Sequence, residues 1–393
     1  MASTEVRGSL VSPELEARAI AWRRHLHANP ELSFEEHETA AFVDETLRSF
    51  GGLEIERPTP TSVVARLHGS GPGKIVALRA DLDALPIQEE NDVPYVSTRP
   101  GVMHACGHDG HAAMLLAAAS ALAERRDSFS GEVRFIFQHA EEVPPGGAVA
   151  LVAAGVVDGV DLMAGIHVSS NLDAGLISVI PGAVMAAADL FTLEISGRGG
   201  HGASPHETVD PVAVAAQVIA NLQHLVSRET DPFDSAVVSV TTMRGGVARN
   251  VIPGSVVLGG TVRTLNVERR AEVRKAMERV IRGVTDAHRA TFAFDYEVGY
   301  DPVVNDPGAA AAVRSAIVAE LGDTAFVEEP PVMGGEDFSA YGAVVPAAFF
   351  WVGSGNEALG TTFPHHHPRF DIDESALRGG AAVFVRTALD TLG

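Results

Sequence analysis

A single cysteine, Cys106, stands among 393 residues, which rules out an intrachain disulfide and the stapled scaffolds of small exported domains. It also rules out a closed structural zinc site built from repeated cysteine pairs. Positive charge is scarce: 29 Lys and Arg face 51 Asp and Glu, a formal net charge of −22 whose field repels phosphodiesters and anionic lipid surfaces. Nucleic acid is therefore not an expected partner. No apolar run approaches the ~20 residues that span a bilayer, and the opening MASTEVRGSL has neither the charged nor the apolar region of a secretory leader. The expectation is a soluble, cytoplasmic protein that binds no membrane. No internal repeat or heptad run marks a solenoid or coiled coil, and no G-x-S-x-G elbow supplies a hydrolase serine.

What is present is ample apolar content, 46%, in a chain long enough for two domains at the usual ~100–200 residues each. Ser12-Pro13-Glu14 predicts an N-cap, a proline in the first helical turn and an early acid, opening a helix that stops near Asn29-Pro30. A second helix is expected over 35–50, strands over 62–67 and 75–79, an alanine-rich helix from about 111 to 125, and a strand over 132–138. Strands alternating with helices imply an α/β domain with a mostly parallel central sheet. From about Asp189 the pattern becomes strand 190–196, helix 211–228, strands 235–243 and 255–265, helix 267–290 and strand 291–299. That βαββαβ order is the signature of a ferredoxin-like unit. A helix over 307–321, a strand over 347–352 and a helix over 374–392 follow. The expected architecture is a catalytic α/β domain over 1–186 and 300–393, interrupted by a smaller ferredoxin-like insert over 187–299.

Chemistry concentrates in a few clusters. His104-Ala-Cys106-Gly-His108-Asp109-Gly-His111 packs three imidazoles, a thiol and a carboxylate into eight residues ahead of an apolar helix. Those are the side chains that bind zinc-like cations, and Cys106 and His108 on an extended loop can face one site. With one cysteine available, such a metal is catalytic rather than structural. Glu141-Glu142 closes an apolar strand, the end where α/β sheets bind ligands; one acid there can hold metal while the other serves as general base. His167 sits in an apolar stretch, where alone it reads as a core histidine, and Pro364-His365-His366-His367-Pro368 supplies a triplet near the C-terminus. A literal G-x-G-x-x-G over 197–202 follows a strand, but Pro205 interrupts any helix and no acid lies about 20 residues on, so a dinucleotide site is rejected. Those glycines are expected to turn the backbone and present His201.

Taken in order, these clusters resemble a known family. The matching segments are Arg24-His25-Leu26-His27 through Ser33, residues 78–87, the His104 to His111 cluster, Glu141-Glu142, Gly165-Ile166-His167, residues 199–203, Asn250-Val251-Ile252-Pro253, residues 334–338 and His366-His367-Pro368. Together they are similar to the co-catalytic metallopeptidases and amidohydrolases that include aminoacylases, hippurate hydrolases and auxin-conjugate hydrolases, over nearly the whole chain. The resemblance implies two divalent metal ions, zinc or manganese first and cobalt or nickel as alternatives, held by Cys106, His108, Glu142, His167 and His366. His365 and His367 are the fallback ligands within the triplet. It also implies Glu141 as general base to a metal-activated water, with Asp109 and His111 orienting ligands. His201, reaching from a partner subunit, would stabilise the oxyanion. Asn250 and Arg263 would hold the substrate carboxylate. The insert would then serve as lid and dimerisation domain of a homodimer. Cys106 matches the position that related carboxypeptidases fill with a bridging aspartate, which favours an amidohydrolase acting on N-acyl amino acids. The rival expectations are a dipeptidase or carboxypeptidase of the same fold and a non-catalytic metal-site binding protein.

Overall fold

The computed structural model describes residues 10–393. In chain order its elements are α1 (Pro13–Ala28), α2 (His37–Phe50), β1 (Leu53–Glu56), β2 (Val63–His68), β3 (Ile75–Asp81), α3 (His108–Ala123), β4 (Glu132–Gln138), α4 (Ala148–Ala153), β5 (Leu162–Asp173), β6 (Ile177–Ser178) and β7 (Gly182–Met185). There follow β8 (Ala187–Ser196), β9 (Gly200–His201), α5 (Pro211–His224), β10 (Ala236–Arg244), β11 (Val251–Ile252), β12 (Ser255–Thr264), α6 (Val267–Ala287) and β13 (Thr291–Tyr300). The chain closes with β14 (Val303–Asn305), α7 (Pro307–Leu321), β15 (Phe326–Val327), α8 (Ser339–Gly342), β16 (Ala347–Gly355) and α9 (Ala376–Leu392). Two units result: residues up to 182 with 304–330 and 337–393, and residues 183–303 with 331–336. The short run 331–336, which the sequence pattern assigns to the catalytic domain, groups with the insert.

The first unit is built on an eight-stranded sheet in the order β1-β2-β4-β3-β5-β16-β6-β15. Its centre, β4, β3, β5 and β16, is parallel. The near-continuous apolar runs of β3 and β4 suit strands covered on both faces. Leu78, Phe135, Phe137, Ile166, Phe350 and Phe384 are among the residues of the core. Helix α3 is apolar all round and accordingly buried along nearly its whole length. Helix α1 opens as its cap residues dictate, Ser12 Oγ accepting from Leu15 N–H at 3.2 Å with Pro13 in the first turn. The final helix has Ser375 at its N-cap, with Asp373 Oδ1 accepting from Ser375 N–H at 3.0 Å. Because the central strands run parallel, Asp81, Gln138 and the residues after them emerge at one carboxyl edge. No helix among the described residues is long and apolar enough to cross a membrane.

The second unit is a four-stranded antiparallel sheet in the order β10-β12-β8-β13 with α5 and α6 against it, the topology of a ferredoxin-like domain. Strand β8 alternates buried and open residues, so one face meets the helices. Its separate core includes Leu193, Ile195, Val218, Leu222, Leu258, Met277 and Ile281. Helix α5 ends at His224 and passes into a wider turn over Leu225–Glu229, short of the expected residue 228.

Candidate metal centre

Helix α3 starts at His108, three residues before the position expected from its alanine-rich run, so His108 and Asp109 stand on its first turn rather than on an extended loop. The reason is Gly107, which sits at φ 93 as the N-cap. There is no room for a Cβ on it, since one would lie 2.4 Å from Val168 Cγ2. This tight joint sets Cys106 beside the helix start and His108 on it. Glu141 and Glu142 follow β4, and His167 lies within β5, paired in register with Trp351. His366 comes from the loop before α9, where it takes φ 64 and its N–H donates to Ala105 O at 2.8 Å.

These residues converge. Ligand atoms of Cys106, His108 and His167 lie within 4.8 Å of one another, as do those of Cys106, Glu142 and His366 and those of His108, Glu141 and Glu142. Cys106 Sγ is 3.4 Å from His167 Nε2, and Glu142 Oε1 is 3.4 Å from His366 Nε2 and 3.9 Å from His108 Nε2. The thiol is thus common to two triads, one richer in imidazole and one containing a carboxylate. His108 Nε2 and Glu142 Oε1 are buried without a hydrogen-bond partner. Buried polar atoms are rarely left so, and a thiol, imidazoles and a carboxylate aimed at one volume are the donor set of zinc-like cations. The residues present therefore fit a pair of divalent ions.

The surroundings set the orientation and protonation of each donor. His167 Nδ1–H donates to Val168 O at 2.8 Å, which leaves the Nε2 lone pair toward Cys106. His108 Nδ1 lies 3.2 Å from Asp83 Oδ1, freeing Nε2. Burial by itself depresses His108, but Asp81, Asp83 and Glu142 outweigh it and raise the imidazole to about 10. Burial, reinforced by Glu142 and Glu141, pushes the Cys106 thiol up. Both shifts record a surplus of negative charge that favours cations, and a bound cation reverses the thiol's preference by stabilising the thiolate. Burial, with His111 and His365 nearby, holds His167 well below its ordinary value, keeping it neutral and able to ligate.

Of the triplet, only His366 turns toward Glu142. His365 stacks on His167, ring centres 5.0 Å apart, and burial lowers it to about 3. His367 stacks on Phe363 at 4.6 Å and accepts from Arg369 N–H. His111 is committed on both sides, Nδ1–H donating to Asp81 Oδ1 at 2.6 Å and Nε2 accepting from Val168 N–H at 2.9 Å. Asp109, expected beside a ligand, is engaged by Arg23 Nε and His27 Nδ1 of α1, each at 2.8 Å. Its helical position turns it toward α1.

Two acids carry work that sequence reasoning did not assign. Asp83 accepts from Glu141 N–H and Glu142 N–H, both at 3.0 Å, and from Ser33 Oγ at 2.7 Å. Asp81 accepts from Arg79 Nη1 at 2.7 Å, and Arg79 also binds Gln138 Oε1 and Asp337 Oδ1 at 2.9 Å. The signal lay in Asp81-Leu82-Asp83 directly after a buried strand. In the second unit His201 is exposed on β9, opposite Val251, with Nδ1 accepting from Ala203 N–H at 3.0 Å, and Asn250 O accepts from Gly202 N–H at 2.8 Å. The glycines here permit close approach rather than a sharp turn: a Cβ on Gly199 would stand 2.7 Å from Ile252 O. Arg263, on β12, is half-buried and has no ion pair among the described residues. Burial lowers its pKa and Asp189 partly offsets this.

A cluster suited to two cations at the carboxyl edge of a parallel sheet, with two adjacent acids, defines the class: a metal-dependent amide hydrolase. Residues 77–390 match the model of Peptidase family M20/M25/M40, and the chain belongs to that family. It is 56% identical over 292 residues to an N-acyl-L-amino acid amidohydrolase of Geobacillus stearothermophilus, covering 74% of this chain and 79% of that protein. It is 40% identical over 380 residues to thermostable carboxypeptidase 2 of Saccharolobus solfataricus, covering 96% of each. The crystal structure of the Bacillus subtilis YXEP protein, a dinuclear metal binding peptidase of the same family, superposes with a TM-score of 0.85 at 37% identity, over 97% of this chain and 99% of that one.

Proposed function

We propose that this enzyme hydrolyses N-acyl amino acids with two divalent cations, which Cys106, His108, His167, Glu142 and His366 would hold. What supports the reading is the thiol common to two triads with the Glu141 carboxylate within 4.8 Å of His108 and Glu142 donor atoms. When bound, the cations supply Lewis-acid charge to the amide carbonyl and acidify the attacking water. Glu141 takes the proton that the water loses as its oxygen bonds to the carbonyl carbon. As the C–N bond breaks, Glu141 passes that proton to the departing nitrogen, giving a carboxylic acid and a free amine. Asp83 keeps Glu141 and Glu142 facing the site through their backbone N–H groups. The oxyanion is met by His201 of a partner subunit, and the substrate carboxylate by Asn250 and by Arg263, whose planar guanidinium suits bidentate pairing. This arrangement makes the working form a homodimer joined through the insert, with residues 187–299 as the lid and dimerisation domain.

Thiolate and imidazole donors favour zinc, with manganese the next choice and cobalt or nickel able to replace them. The enzyme works in the cytoplasm, where a lone thiol remains reduced. A second reading, carboxypeptidase action, is favoured by the 40% identical thermostable carboxypeptidase. Turnover of N-acetyl and N-benzoyl amino acids against free dipeptides, with each metal in turn, separates the two. Hydrolysis of N-acyl substrates that chelation abolishes and metal restores is the expected result; hydrolysis of the dipeptides alone overturns the amidohydrolase reading. Glu141→Gln retains its metal and loses several orders of magnitude in kcat.

A further inference from the structure

Between β4 and the two acids, Ala140 is buried and holds φ 50, a left-handed conformation that a residue with a Cβ keeps only under constraint. The constraint is visible. Three successive N–H groups, of Ala140, Glu141 and Glu142, each donate to a buried carboxylate: Glu36 Oε1 at 2.7 Å, Asp83 Oδ1 at 3.0 Å and Asp83 Oδ2 at 3.0 Å. Consecutive N–H groups of this kind form an anion-binding concavity, and here protein side chains fill it.

Glu36 is fully buried at the start of α2. Its side chain makes no capping bond to its own helix, so capping does not explain it. Space filling does not either, since an interior carboxylate carries a desolvation cost that an apolar side chain avoids. Its reach is part of a wider contact. Ser33 Oγ donates to Asp83 at 2.7 Å, and the Phe34 ring, on a backbone at φ 68, stands edge-on to His139 at 5.7 Å. The run 33–36 thus meets the acid-bearing turn directly through Phe34 and Glu36, and through Asp83 by way of Ser33.

We infer that Glu36 is a positioning residue, holding Ala140 in its left-handed conformation and thereby aiming Glu141 and Glu142. This rests on the roles given to those two acids above. In Glu36→Asp the carboxyl group remains but falls one methylene short of Ala140 N–H. In Glu36→Gln the amide oxygen still accepts that bond.

The test uses the metal-loaded full-length protein and an N-acetyl amino acid. Metal content and thermal melting bring every variant to equal loading well below its midpoint, so unfolding registers as lost loading and not as lost turnover. The expected result is a kcat per loaded site reduced about 10- to 100-fold in E36D, with KM within roughly threefold of wild type, and recovery to at least roughly a third of wild-type kcat in E36Q. An E36D that turns over within roughly twofold of wild type, or an E36Q as slow as E36D, overturns the inference. Glu141→Gln runs alongside. An active E141Q overturns the role of Glu141 itself, whereas an inactive E141Q beside a fully active E36D removes only that of Glu36.

Discussion

Gly107 shows how much of the site turns on single positions. It sits at φ 93, and a methyl carbon attached there would fall 2.4 Å from Val168 Cγ2, so it accepts no other residue without movement of β5 or α3. Gly107→Ala is expected to cost about 1–3 kcal/mol of unfolding free energy and to lower metal occupancy, because Cys106 and His108 flank the joint. Thermal melting and elemental analysis check both. Residue types and their local density in the sequence already point to Cys106 and His108, whereas Glu142 as the ligand of the acid pair, and His167, follow only from the family resemblance. The choice within His365-His366-His367 is less accessible, since it depends on one backbone angle, φ 64 at His366, that no composition encodes. Asp81 and Asp83 stand in plain view, but their roles depend on distant partners: the turn after β4 brought over Asp83, and Arg79 and His111 turned onto Asp81.

At the scale of elements, caps and apolar periodicity located most helices and strands, with ends shifted by a few residues. The start of α3 moved because a glycine N-cap carries no side-chain signal. In the insert, one buried group ties three elements together. Asp189 of β8 accepts from Arg270 Nε of α6 at 2.8 Å, from Tyr296 OH of β13 at 2.7 Å and from Gly299 N–H at 2.9 Å. Burial alone would raise this carboxyl, but Arg270, Tyr296 and Gly299 outweigh it and hold it below its ordinary range. A depressed carboxyl stabilises the fold above its unfolded value of ~3.9 and loses that contribution as pH falls through the lower folded value. Asp189→Asn should therefore cost about 3 kcal/mol at neutral pH. The gap to wild type should close progressively below about pH 4. Denaturant unfolding at a series of pH values measures it, and a gap that stays constant with pH contradicts the assignment.

For the whole molecule, the sequence pattern was sufficient to anticipate an α/β body with a ferredoxin-like insert, but not the order of the eight strands. That order depends on crossovers, such as β4 lying between β2 and β3, which local periodicity does not record. The cations should also contribute to the stability of the body that holds them. A ligand bound only by the folded state adds about 2.7 kcal/mol when present at 100 times its Kd. Chelation is expected to lower Tm, and readdition of zinc or manganese to restore it; an unchanged Tm with proven metal removal would count against a site that is knitted into the core.

Four of the five proposed ligands lie in residues 106–167, while His366 belongs to the segment that resumes after the insert. A nascent chain must therefore deliver the entire ferredoxin-like domain before the last donor leaves the ribosome. Until then, the second triad is open, and a chain terminated early has no means to complete it. A chain ending before residue 366 would lack that proposed donor, and is expected to bind less metal than the full chain by elemental analysis.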